Sequence, residues 1–368
     1  KTMLDLNYYM PVEIIYGKGV VKQSGERFAA LGKRCLIVTG KHGAKACGAL
    51  DDLTQTLDEA GITYEIFDEV EPNPMESTCK KAGERAKAMG ADFLVGVGGG
   101  SPMDAVKASA VFACNDITLE ELYQNSYSKS HLPFVCIGTS AGTGSEVTPY
   151  AILTQDFSGY KKSVKGLWPE FSLCDYSYTC TMGYEGSMST ALDALCHCVE
   201  SYFSAKSNSI TRKFAIAGAR EVVGVFTDLP ADGQFTDSQR QKLYAASIYG
   251  GLCIAKTGTC YCHAMGYFLS ENHGVPHGVA CAVFLPSFIQ RSCDYLTKRA
   301  NNFCYDLDFA PSRLKSLIEN VTPKLDIHLD DEEKQALRQR FAAPGLFATS
   351  PGEFDVDHAM ELIEELFG

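Results

Sequence analysis

The sequence predicts an α/β fold in two domains: a parallel-sheet domain over residues 1–178, then an all-helical domain over residues 179–368. Three observations carry this. Short β-rich runs alternate with amphipathic stretches in the first half, which implies a parallel sheet covered on both faces. From about Ser177 onward 3.6-residue periodicity takes over with almost no strand signal. The length of 368 residues is enough for two hydrophobic cores.

In chain order, "RCLIVTG", "TYEIFD", "DFLVGVGGG" and "PFVCIGT" read as strands, being apolar, rich in branched or aromatic residues and closed by Gly, Asp or Thr. Between them "ALDDLTQTLDEAG" and "MESTCKKAGERAKAMG" read as helices that stop at glycine. In the second half "STALDALCHCVESY", "ITRKFAIAGAREVVGVF", "DSQRQKLYAASIYGGLCIA", "SRLKSLIENV" and "DHAMELIEELF" carry helical spacing.

Composition narrows the function classes. A formal net charge of −12 argues against a nucleic-acid or anionic-membrane partner, because either needs a basic footprint. No apolar run is long enough to span a bilayer, and no signal-peptide stretch opens the chain, so a cytoplasmic protein is expected. The fifteen cysteines are scattered through apolar runs and read as core thiols in a reducing compartment. Cys196/Cys198 and Cys260/Cys262 lack zinc-finger spacing.

Two glycine turns suggest a Rossmann-like nucleotide site. In "DFLVGVGGGSPMDAVKASA" a strand ends at Gly98, Gly99 and Gly100, and a helix opens at Ser101 with Asp104 in its first turn. Glycines let backbone approach a phosphate, and the N–H groups of a helix start favour negative charge. The turn is neither a Walker A loop nor a strict G-x-G-x-x-G. A second turn, "IGTSAGTGSEVTPY", supplies Thr139, Ser140 and Thr143 at the end of another strand. Two such turns ending neighbouring parallel strands would line one crevice.

The helical half carries a different chemistry. Asp193 and His197 lie four apart on one face of an otherwise apolar helix. His263 and His277 follow in "CHAMGYFLSENHGVPHG". One carboxylate and three imidazoles make a competent set for a divalent transition metal.

"GGGSPMDAVKA", "TSAGTGSEVTPYAILT", "ALDALCHCVESY" and "HAMGYFLSENHGVPHG", in this order and spacing, resemble the iron-containing (group III) alcohol dehydrogenases, in the branch similar to 1,3-propanediol dehydrogenase. The resemblance runs from "YGKG" to "VFLPSFI". It implies an NAD(P)-dependent oxidoreductase acting on a small aldehyde or alcohol, with cofactor and metal meeting in a cleft between the domains. It also implies a homodimer or higher homo-oligomer. The implied metal is Fe2+, with Zn2+ as the alternative, held by Asp193, His197, His263 and His277. The implied cofactor residues are Asn73, Gly99, Gly100, Ser101, Asp104, Thr139, Ser140 and Thr143, with a lysine at Lys161 or Lys162.

Where many members carry a non-ligand histidine four residues after the third ligand, this chain has Tyr267, so Tyr267 and His273 stand as the proton-handling candidates. The usual glycine two residues before the aspartate is Ala191. The acid that NAD-specific relatives place after the first nucleotide-domain strand is replaced by Gly40, followed by Lys41. Glycine leaves room for a 2′-phosphate and lysine neutralises part of its charge, so NADP(H) is the expected preference with NAD(H) the alternative. The rival readings are a dehydroquinate synthase-like or glycerol dehydrogenase-like enzyme, and a non-catalytic nucleotide- or metal-binding protein.

Overall fold

The computed structural model describes residues 6–125, 127 and 130–368, so the first five residues of the expected 1–178 domain lie outside the described residues. The chain divides into two compact units. One comprises Met10–Gly183 with Phe235–Tyr244; the other comprises Tyr184–Gln234 and Ala245–Gly368 with the described residues through Tyr9.

The first unit opens with β1 (Glu13–Tyr16), α1 (Gly25–Leu31), β2 (Arg34–Thr39), α2 (Gly43–Ala46), α3 (Ala49–Glu59) and β3 (Thr63–Phe67). Next come α4 (Glu76–Met89), β4 (Phe93–Gly98), α5 (Gly100–Cys114), α6 (Leu119–Gln124) and β5 (Phe134–Gly138). The pair β6 (Ala151–Thr154) and β7 (Lys161–Val164) precedes β8 (Phe171–Cys174). Six strands form one sheet in the order β1-β8-β5-β4-β2-β3, every pairing parallel, while β6 and β7 pair antiparallel. The four strands legible in the sequence are β2 to β5. β1 and β8 are only four residues long, too short for alternation to stand out.

Both faces of the sheet are covered, as a parallel sheet requires. Leu36 and Val38 of β2 pack with Cys79, Ala82 and Ala86 of α4 and the apolar side of α5. Cys35 and Ile37, one residue out of phase, pack with Phe28 of α1 and Leu53 and Leu57 of α3. Small residues let α4 and α5 touch: a Cβ on Gly83 would stand 2.4 Å from that of Phe112.

The turn between β4 and α5 requires glycine. Gly98 has φ +151°, and a Cβ there would meet the Pro102 ring at 2.6 Å. Lys107 then anchors α5 from inside the protein. Its ammonium, fully buried, donates to the Ser145 carbonyl and hydroxyl, both at 2.8 Å, and to the Tyr150 carbonyl at 2.6 Å. Asp104 lies 3.7 Å away as counter-charge.

The second unit consists of α7 (Tyr184–Phe203), α8 (Ser209–Phe226), most of α9 (Asp237–Thr257), α10 (Tyr261–Asn272), α11 (His277–Ala282) and α12 (Leu285–Tyr295), followed by α13 (Thr297–Leu307), α14 (Pro311–Val321), α15 (Asp331–Phe341) and α16 (Val356–Phe367). From Ala191 to Phe203 every residue of α7 is buried, so its polar side chains must be matched internally. Glycine again sets the spacing: a Cβ on Gly278 of α11 would stand 1.7 Å from the Ser189 carbonyl oxygen of α7. Among the described residues no helix is long and apolar enough to cross a membrane.

Glu146, in the 3-10 turn Ser145–Val147 that Lys107 holds, is buried in the first unit. Burial pushes its carboxyl up to about 7, partly offset by its own backbone N–H, by Lys107 and by the Tyr244 hydroxyl. The folded protein therefore binds a proton that the unfolded chain, with a carboxyl near 4.5, releases, and stability falls as pH rises from 4.5 to about 7. In urea denaturation Glu146→Gln should gain on the wild type across that window by roughly 3 kcal/mol. A difference independent of pH would show that Glu146 does not carry this proton.

Candidate functional site

Asp193 lies near the middle of α7, 3 % exposed. Its Oδ1 is 3.2 Å from His263 Nε2, 3.6 Å from His197 Nε2 and 3.8 Å from His277 Nε2. The spacing of four on α7 brings His197 beside it, the first turn of α10 brings His263, and the first residue of α11 brings His277. The His197 and His263 rings stack at 4.6 Å with 14° between planes, and His277 meets His263 edge-on at 5.4 Å.

The structure thus gathers all four expected metal residues around one carboxylate oxygen. It also adds a thiol. One ligand atom each from Asp193, His263, His277 and Cys281 lie within 4.8 Å of one another, a set that could hold a metal ion. Cys281 Sγ is 3.8 Å from His277 Nε2.

Electrostatics point the same way. Burial penalises the charge of Asp193, but the His197, His263 and His277 imidazoles outweigh it and hold the carboxyl well below the usual range. Burial likewise favours neutral His263, but Cys281, Glu200 and Asp193 outweigh it and raise its affinity for a proton. A carboxylate kept ionised in the interior among imidazoles suits a cation, and the oxygen and nitrogen donors fit a divalent transition metal.

Sequence reasoning missed Glu200. Fully buried, it hydrogen-bonds His263 Nδ1 through Oε2, while Oε1 accepts the Cys260 N–H at 3.0 Å. A carboxylate on Nδ1 fixes the tautomer and leaves Nε2 facing Asp193. The signal was present in the sequence, because Glu200 lies seven residues after Asp193 and three after His197, on the same helical face.

The two proton-handling candidates part company. The Tyr267 ring lies parallel to His277, centroids 5.6 Å apart and planes within 10°. Burial raises its hydroxyl to about 12. His273 caps α10, with Nε2 3.3 Å from Glu333 Oε1 and its ring set edge-on to Phe268, and it is not one of the groups meeting Asp193.

In the α/β unit, residues 40–43, 68–72 and 99–102 line a cavity of about 640 Å³. It brings together Gly40, Lys41, Gly99, Gly100 and Ser101 at the carboxyl ends of β2 and β4. The Asn73 N–H donates to Ser101 Oγ at 3.1 Å, with Asn73 in the left-handed region at φ 57°. The second turn packs on the first. The Thr139 N–H donates to the Gly98 carbonyl at 2.8 Å. A Cβ on Gly99 would stand 3.2 Å from Ser140 Oγ, and one on Gly100 would stand 2.8 Å from Thr143 Cγ2.

Two expected cofactor residues make contacts within the protein. Asp104 accepts the Ser145 hydroxyl at 2.5 Å and the Ile152 N–H at 2.9 Å, so its carboxylate ties α5 to β6. The Lys162 ammonium lies over the Tyr123 ring at 4.4 Å. The cavity wall also carries acids that the sequence reading did not weigh. Glu69 pairs with Lys81 at 2.5 Å and Glu71 accepts the Met75 N–H at 2.6 Å, leaving Asp68 as the third carboxylate of the lining.

Comparison with known proteins agrees with both halves of this geometry. Residues 11–176 match the model of the family described as iron-containing alcohol dehydrogenase, and residues 187–341 match its C-terminal family. The chain is 33 % identical over 290 residues to 1,3-propanediol dehydrogenase from Citrobacter freundii, covering 76 % of this chain and 73 % of that one. Its fold matches the crystal structure of an iron-containing alcohol dehydrogenase from Thermotoga maritima with a TM-score of 0.91 and 35 % identity over 99 % of this chain and 100 % of that one. Sulfoacetaldehyde reductase from Bifidobacterium kashiwanohense in complex with NAD+ gives a TM-score of 0.88 and 26 % identity, with 99 % of each chain covered. The chain belongs to the iron-containing alcohol dehydrogenase family, and is an oxidoreductase with metal-dependent alcohol dehydrogenase activity.

Proposed function

We propose that this enzyme interconverts a small aldehyde, such as one derived from a diol, and its alcohol. It uses NADP(H) in preference to NAD(H), and a divalent metal held by Asp193, His197, His263 and His277. The carrying observation is the convergence of three imidazoles on the buried Asp193 carboxylate. The name of the propanediol dehydrogenase relative supports the substrate class, and the NAD+ complex of the reductase supports a nicotinamide cofactor.

When bound, the metal supplies Lewis-acid polarisation of a carbonyl oxygen and the reduced nicotinamide supplies the hydride. The remaining work belongs to the chain. Asp193 contributes the negative charge, Glu200 keeps the His263 Nε2 lone pair available, and the start of α5 offers Gly100 and Ser101 N–H groups to a pyrophosphate. The hydroxyls of Thr139, Ser140 and Thr143 and the Asn73 turn shape the same cofactor site. Tyr267, against His277, carries the proton that the alcohol oxygen gains.

The cofactor preference rests on the wall where Gly40 brings no side chain and Lys41 brings a positive charge. Glu69 on the same wall is paired with Lys81, while Asp68 and Glu71 are further carboxylates of the lining that carries Lys41.

Three outcomes test the reading. His263→Ala should lose bound metal and aldehyde reduction together, measured by metal stoichiometry and NADPH oxidation; a variant with full metal and full rate would overturn the assignment. Tyr267→Phe should lower kcat about 100-fold with KM little changed, whereas an unchanged kcat would remove Tyr267 from proton transfer. Wild type should show the higher kcat/KM with NADPH, and Lys41→Glu should cut the NADPH-to-NADH ratio about tenfold, the equivalent of roughly 1.4 kcal/mol. A wild-type preference for NADH would refute the cofactor assignment. Lys41 is the better position to vary than Gly40, where a new Cβ would stand 3.1 Å from the Val70 carbonyl oxygen.

A further inference from the structure

We propose that Cys281 is a further metal-holding residue, so that the centre binds its ion through oxygen, nitrogen and sulfur. This inference rests on the reading above that Asp193, His197, His263 and His277 hold a metal. The Cys281 sulfur belongs to the same group of ligand atoms, all within 4.8 Å of one another. It stands one helical turn after His277 on α11, so both side chains project from one face of that helix. Close packing of α11 on α7 at Gly278 and on α10 at Gly266 directs that face toward Asp193 and His263.

Other buried thiols are placed differently. Cys260 Sγ is taken by the Thr349 carbonyl at 3.4 Å and the Glu200 carbonyl at 3.6 Å. Cys196 shares α7 with Asp193 but is not part of the ligand group. Among the described residues, Cys281 is the thiol that the fold brings into that group.

The chemistry has a consequence for metal choice. On binding, the thiol proton leaves to solvent as the sulfur–metal bond forms, with no change of oxidation state. Added to Asp193, His197, His263 and His277, one thiolate joins one carboxylate and three imidazoles, an oxygen, nitrogen and sulfur donor set that zinc and cobalt(II) both accept. Thiolate is a soft ligand, and it shifts preference toward zinc relative to a centre built of nitrogen and oxygen alone.

Cobalt(II) is the probe. The full-length protein, stripped with a chelator and reloaded with cobalt(II), should show a near-ultraviolet thiolate-to-cobalt charge-transfer band. Cys281→Ala and Cys281→Ser should keep bound cobalt but lose the band, and Cys196→Ala should retain it. Zinc affinity should weaken about tenfold or more in both Cys281 variants. Wild-type protein that binds cobalt without the band overturns the role of Cys281 and leaves the remaining ligands standing, independently of how any variant folds. A band that persists in Cys281→Ser has the same effect. Failure of the wild type to retain cobalt overturns the metal assignment itself, and this inference with it.

Discussion

The helical unit is organised by one constraint: Asp193 carries a carboxylate into the interior of a helix buried along most of its length. An isolated buried charge costs several kcal/mol, and the cost is met only by close partners of opposite charge or by hydrogen bonds. The architecture supplies them. His197 comes from one turn further along the same helix, and His263 and His277 come from the starts of α10 and α11. The helices approach closely enough because Gly278 and Gly266 present no side chain at the points of contact. Asp193, the glycines and the imidazoles therefore form one interdependent set.

Glu200 adds a second buried carboxylate seven residues on, and its partner is again His263. The imidazole is held between two acids, Glu200 on Nδ1 and Asp193 on Nε2. Such a ring has its tautomer and orientation determined before any ligand arrives, as metal-binding histidines need.

The α/β unit solves a different problem, which is bringing backbone N–H groups to one small region. Gly98, Gly99 and Gly100 allow the close approach, and the loop carrying Thr139 to Thr143 packs onto them. Lys107, buried below the turn, and the half-buried Asp104 secure that loop through Ser145 and Ile152. Asp104, which reads in the sequence as a cofactor contact, also serves as a fastening in the structure, because its oxygens find donors inside the protein.

By itself the sequence determined what depends on local pattern. The four strands β2 to β5 followed from apolar runs closed by Gly, Asp or Thr, and the helices from 3.6-residue spacing, because both signals come from burial of a whole face. Asp193 and His197 were legible as a pair because four residues make one helical turn. Only the tertiary structure decided what depends on distant segments meeting. It placed Cys281 in the ligand group, set Glu200 behind His263, turned Asp104 inward and held His273 against Glu333. It set Asp68 on the cavity wall that also carries Lys41. Each of these is a contact between segments far apart in the chain or a choice of side-chain direction, and spacing within one segment encodes neither.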